Sequence, residues 1–138
     1  MKTYESKVVA IKRLDEDIYK ALSSFKNFSP LAQMAKVENW QADDDWCKFD
    51  VKNIGAVGLK IIEREQNKTI KISGDGGIPF DFFLWIQLKP VAPYDTRLKL
   101  TLKEDMNIMM RMMIGKKLQE GIDSLADQIA AAFNGMPK

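Results

Sequence analysis

Histidine is missing altogether from this chain of 138 residues, and cysteine occurs once, at Cys47. The first absence excludes histidine-dependent triads, imidazole metal sites and an imidazole general base near neutral pH. With a single thiol, a zinc site would need carboxylates almost alone, so neither metal nor cofactor is expected. One cysteine also excludes an internal disulfide and fits a reducing compartment. Charge of one sign is scarce too. Lys and Arg number 21 against 19 Asp and Glu, a formal net charge of +2, too mild for a nucleic-acid partner. No stretch approaches the roughly 18–20 apolar residues that cross a bilayer. Met1-Lys2-Thr3-Tyr4-Glu5 lacks the apolar core of a secretory signal. The expectation is a cytoplasmic chain without stable membrane insertion.

What is present is a globular composition, 46% hydrophobic and 29% charged, at the length of one ordinary domain, residues 1–138. Tyr4 to Arg13 reads as a first strand. At Asp15 the period becomes helical through Ile18, Tyr19, Ala21 and Leu22, with acid in the first turn. Phe25 to Pro30 breaks the chain, and Ser29 with Pro30 starts a second short helix to about Met34. Strands follow over Val37–Ala42, Trp46–Val51, Val57–Glu65, Thr69–Ser73, Phe80–Leu88 and Thr96–Lys103. Between them lie turns at Asp43–Asp45, Asn53-Ile54-Gly55, Gln66-Asn67 and Gly74–Gly77, and a loop over Pro90–Asp95. Short connections of this kind imply an antiparallel meander. Leu98, Leu100 and Leu102 alternate with charged and polar residues, so one face of the sheet is apolar. Cys47 alternates with Phe49 and Val51 in the same way and reads as a small core residue rather than a nucleophile.

Asn107 to Phe133 reads as one helix, about 27 residues and roughly 40 Å long, with Gly135 and Pro137 as its stop. Its apolar stripe runs through Ile108, Met112, Gly115, Leu118, Ile122, Leu125, Ala126, Ile129 and Phe133.

This order of elements resembles the START-related and birch-pollen-allergen-like superfamily, also called the polyketide cyclase or SRPBCC superfamily. The likeness rests on Tyr4–Arg13 leading into Leu14-Asp15-Glu16-Asp17-Ile18-Tyr19, on the Phe25–Pro30 break, and on the terminal strand followed by Asn107–Phe133. It implies an α+β helix-grip fold: a curved seven-stranded antiparallel sheet around the C-terminal helix, two short helices closing one end, and a cavity for lipids, polyketides or other apolar molecules. The superfamily has no invariant catalytic signature, so fold alone does not choose between carrier, enzyme and chaperone-associated domain.

The resulting expectation is a small hydrophobic or amphipathic ligand between sheet and helix. The candidate lining is Phe49, Leu59, Ile61, Phe82, Leu84, Leu98, Leu100, Ile108 and Met112. Arg111, near the centre of the apolar stripe, either holds an oxygen of the ligand, pairs with a nearby acid, or snorkels to water. Tyr19 and Asn107 are further polar candidates. No residue is nominated as catalytic. A cyclase, dehydratase or hydrolase is the enzymatic alternative, and it would need a carboxylate, Arg, Tyr or Lys of shifted pKa in the cavity. A protein-interaction domain is the third reading, chaperone-associated or homodimeric. Two features serve it. Five of eight methionines fall in Met106–Met113, either ordinary core or an adaptable surface. Phe83 and Trp85 fall opposite the Phe82-Leu84-Ile86 row, exposed unless a bulge turns one row inward. Asp43-Asp44-Asp45 supplies too few spaced oxygens for calcium, and Gly74-Asp75-Gly76-Gly77 lacks the lysine and helix of a phosphate loop.

Overall fold

A computed structural model describes residues 1–52 and 55–135. The turn expected at Asn53-Ile54 and the stop expected at Pro137 lie outside the described residues. Strands β1 (Lys2–Glu5) and β2 (Val9–Ile11) precede helix α1 (Asp15–Leu22), a 3-10 turn (Phe25–Phe28) and helix α2 (Ser29–Met34). Then come β3 (Glu38–Ala42), β4 (Trp46–Val51), β5 (Gly55–Glu65), β6 (Thr69–Gly74), β7 (Phe82–Ala92), β8 (Asp95–Glu104) and helix α3 (Ile108–Asn134). The sheet is antiparallel, in the order β1-β8-β7-β6-β5-β4-β3, and β2 also pairs with β8. This is the α+β helix-grip arrangement, with eight strands because the first is in two pieces.

Ser6 makes that division. Its amide donates to the Leu100 carbonyl at 2.8 Å, while its hydroxyl oxygen accepts from the Leu100 amide at 2.8 Å. A side chain thus replaces a ladder carbonyl. The next amide, of Lys7, leaves the sheet and donates to Asp123 Oδ1 on α3 at 2.7 Å. A second difference lies at the β7–β8 hairpin. The loop expected over Pro90–Asp95 is only Pro93 and Tyr94, the latter at φ 58°. β7 runs on through Pro90, which sits opposite Thr96. Proline is tolerated because β6 reaches only to Gln87, so Pro90 lies on a strand segment with one free edge.

The concave face follows from alternation. Ile61, Ile72, Leu84, Leu102 and Tyr4 lie side by side across five strands, and Ile70, Ile86 and Leu100 form the adjoining row. α1 lays Ile18 and Leu22 into this bowl, and Phe25 follows, set edge-on to Phe28 at 5.0 Å. Ile11, Ile18, Ile70, Leu98, Leu100 and Ile129 are fully buried.

α3 seats chiefly on β1, β2, β8 and α2. Asn107 starts it, its side chain accepting from the Met110 amide at 2.8 Å. A seam of polar contacts then ties the helix along the first two strands. Gln119 Nε2 donates to the Glu5 carbonyl at 2.8 Å, Lys7 pairs with Asp127 at 2.7 Å, and Asn134 bonds Ala10 and Lys12. Gly115 permits a close approach, since a Cβ there would stand 3.2 Å from the Tyr4 hydroxyl.

Leu98 and Leu100 are floor of this core, not free cavity wall. Truncating Leu100 to alanine should therefore lower unfolding free energy by about 2–5 kcal/mol in urea melts. A loss below about 1 kcal/mol would place the residue outside the packed core.

Candidate functional site

The concave face is not covered evenly. Over β1, β2 and β8 the helix closes it, whereas towards β4, β5 and β7 its apolar side chains keep partial exposure. Phe49, Leu59, Phe82 and Leu84 pack against the core but are only half-buried, as are Leu118 and Leu125 on the helix side. Together they form a half-buried apolar surface at the margin of the core, on the inner side of the sheet. Local geometry sets this surface: Leu59 lies beside Cys47 and Gly74, and the Phe82 ring rests over Gly74, where a Cβ would come within 2.8 Å of it. Trp40 stacks on Phe49 with ring centres 5.8 Å apart. Cys47 is buried below, its thiol pushed up to about 12 by desolvation, so it is an inert part of the core.

A groove of about 550 Å³ lies where α1, the 3-10 turn and α2 meet the C-terminal end of α3. Leu22, Leu31, Ile129 and Phe133 form its apolar side, and Lys20 and Lys26 stand at its edge. No residue nominated from the sequence lines this groove.

The nominated residues therefore separate. Phe49, Leu59, Phe82 and Leu84 share the half-buried apolar surface, with Ile61 buried in the core they pack against. Leu98 and Leu100 share the concave face but are sealed. Ile108 and Met112 line no space between sheet and helix: they are 74% and 82% exposed. The helical stripe misplaced them because the inward positions of the first turns are taken by Arg111 and Gly115, set against Glu104 on β8 and Tyr4 on β1, which turns Ile108 and Met112 outward. Asn107 is used as the helix cap. Tyr19 packs against the core.

Arg111 has a buried partner that the sequence reading left unassigned. Glu104, at the end of β8, is fully buried, with 0% exposure. Arg111 donates from Nη2 to its Oε1 at 2.8 Å and from Nε to its Oε2 at 3.2 Å. The Tyr4 hydroxyl donates to Oε2 at 2.7 Å, and the Met106 amide donates to Oε1 at 3.1 Å. Arg111 Nη2 also donates to the Met106 carbonyl at 3.0 Å. Of the three alternatives for Arg111, the structural pair is the one formed. The Arg111 bonds, helped by Tyr4 and Met106 and opposed by burial, hold the Glu104 carboxyl down at about 2. Burial foremost, then the carboxylate, raises the Tyr4 hydroxyl above its ordinary value. A carboxylate this saturated is a poor proton acceptor. Parity could have found it: Glu104 continues the inward positions Leu98, Leu100 and Leu102, an acid where the core pattern demands a partner.

The opposite face carries Phe83 and Trp85 outward, with no register shift between Phe82 and Pro90. Lys71 Nζ lies 4.7 Å from the Phe83 ring centre and 5.1 Å from that of Trp85, and Lys103 covers Trp85 at 5.6 Å. Lysine therefore screens much of this aromatic surface. Among the described residues, no group of three His, Cys, Asp or Glu side chains could hold a metal, and no helix is long and apolar enough to cross a membrane.

No family model matches the sequence, and no curated protein does. Solved structures do match. A truncated norcoclaurine synthase from Thalictrum flavum superposes with TM-score 0.77 at 12% identity, covering 99% of this chain and 95% of that one. The Aha1 dimer from Colwellia psychrerythraea gives 0.71 at 17% identity, covering 97% of each chain. A START superfamily protein from Mycobacterium smegmatis gives 0.63 at 16%, covering 92% of this chain and 96% of the other. At such identities the likeness is one of fold, and the fold is the helix-grip fold of the START-related superfamily.

The Glu104 carboxyl sits below the ordinary unfolded value of 4.5, at about 2. Its stabilisation is therefore present above pH 4.5 and is lost as the pH falls through about 2. Urea midpoints between pH 2 and 7 should show that acid limb, and Arg111→Met should move it to higher pH. An unmoved limb would mean that the pair does not set the carboxyl's protonation.

Proposed function

We propose that the protein binds a small hydrophobic or amphipathic molecule, lipid-like or polyketide-like, in the cleft between the sheet and α3. One observation carries this reading: the inward apolar residues of β4, β5 and β7 are left half-exposed by a helix anchored to the other flank. Covering such a surface is worth about 25 cal/mol per Å², which supplies affinity without a polar anchor. Selectivity then rests on the shape of the wall formed by Phe49, Leu59, Phe82 and Leu84. A norcoclaurine synthase with this fold has been crystallised with dopamine and hydroxybenzaldehyde, which supports the capacity of a helix-grip cleft for small organic ligands.

Catalysis by a cyclase, dehydratase or hydrolase route is the weaker reading. The buried ionisable cluster, Tyr4, Glu104 and Arg111, is committed to bonds among its own members. A homodimer, by contrast, is compatible with ligand binding, and the Aha1 neighbour is itself described as a dimer.

The test is titration with an environment-sensitive apolar dye, followed by displacement with fatty acids and aromatic polyketides. Leu84→Trp should fill the cleft and abolish dye uptake while the fold is retained, whereas Met112→Trp should leave uptake unchanged. If Ala132→Trp abolished uptake and Leu84→Trp did not, the site would be the groove under α1 and α2 instead.

A further inference from the structure

The first two turns of α3 present Ile108, Met109, Met112 and Met113 at 74%, 73%, 82% and 71% exposure. A helix normally turns such residues inward. Here the inward positions of the same turns are taken by Arg111 and Gly115, against Glu104 and Tyr4. Four residues of this size, about three-quarters exposed, offer roughly 500–600 Å² in one patch, at the upper end for a monomer. Set against the roughly 800 Å² per partner of a standard interface, that area is enough for its apolar centre.

We propose that this patch is the interface of a homodimer in which two α3 helices cross antiparallel about a two-fold axis near residues 110 and 111. This rests on the dimeric element of the reading above, not on ligand binding. The arrangement of the patch singles out a second copy. Positions 108, 109, 112 and 113 are symmetric about the midpoint of 110 and 111. An antiparallel crossing there sets Met109 against Met112 and Ile108 against Met113, as an isologous contact requires. Unbranched methionine adapts to its own copy without demanding one exact shape.

Charge agrees with the same operator. Asp81 and Asp105 are exposed at the N-terminal end of the patch, where the Asp81 amide donates to Asp105 Oδ1 at 2.8 Å. Lys116 and Lys117 are exposed at the other end. Among the described residues, none of the four forms an ion pair within the chain. Inverting one copy against the other brings each acidic end to a basic end. An anionic lipid surface would meet the lysines but be repelled by the two aspartates, so it fits the patch less well.

Sedimentation equilibrium of the full chain from about 1 µM to 1 mM tests the proposal, with thermal melts confirming that each variant is folded. The wild type should show a concentration-dependent dimer. Met112→Glu, at the most exposed position, should keep a cooperative melt and weaken dimerisation at least about tenfold, because it places a charge in the desolvated centre. Asp105→Lys and Lys116→Asp should each be weakened alone, yet an equimolar mixture should recover a heterodimer, since acid and base then oppose each other at both ends. A wild type that stays monomeric throughout overturns both the interface and the dimer. A wild-type dimer unaffected by Met112→Glu overturns the interface alone, and a mixture that fails to associate overturns the antiparallel operator. A monomeric wild type that binds phosphatidylserine vesicles through Met112 would assign the patch to a lipid surface.

Discussion

A carboxylate with no access to water decides where the long helix lies. Glu104 ends β8 inside the core, where an unpaired charge would be costly. It is satisfied by Tyr4 from β1, Arg111 from α3 and the Met106 amide between them. Such a buried ion pair adds little net stability over an apolar substitute. What it contributes is specificity: these four donors reach two oxygens only when α3 starts at Asn107 and runs close over Tyr4. Gly115 allows that closeness, and the bonds from Gln119, Asp123, Asp127 and Asn134 continue the same line along β1 and β2.

Both surfaces of functional interest follow from this placement. A helix fixed to the β1–β2 flank cannot also cover β4 and β5, so Phe49, Leu59 and Leu84 keep part of their surface on the concave side. The same fixing turns Arg111 and Gly115 inward and leaves Met109, Met112 and Met113 outside. The half-buried apolar surface and the methionine patch are thus two results of one polar constraint, on opposite sides of one helix.

Much of the architecture was legible because it obeys simple periods. Alternation at Leu98, Leu100 and Leu102 marked the concave face, the 3.6-residue period marked the helices, and the polar turn at Gln66-Asn67 holds Asn67 at φ 61°. Parity also placed Phe83 and Trp85 on the outer face, one of the two arrangements open from the sequence. Division of the first strand was not legible, because it depends on Ser6 finding Leu100, 94 residues away. Nor was the lateral position of α3, since a helical stripe gives the direction of burial but not which strands supply the partner. The errors at Ile108 and Met112 have this origin. An apolar period was extended into turns where the chain uses a charged anchor instead.

The same anchor bears on chemistry at the half-buried surface. General acid–base catalysis needs a group that can exchange a proton near the working pH. Glu104, held near 2, keeps its negative charge, and Tyr4 is shifted upward, away from neutrality. Each is stabilised in the protonation state that the helix seat requires, so drawing either into a proton transfer would loosen α3 from β1. The half-buried inner surface of β4, β5 and β7 is instead aliphatic and aromatic, with a buried, unreactive thiol at Cys47. A surface of that kind offers volume and contour rather than proton transfer, so it favours binding over chemistry.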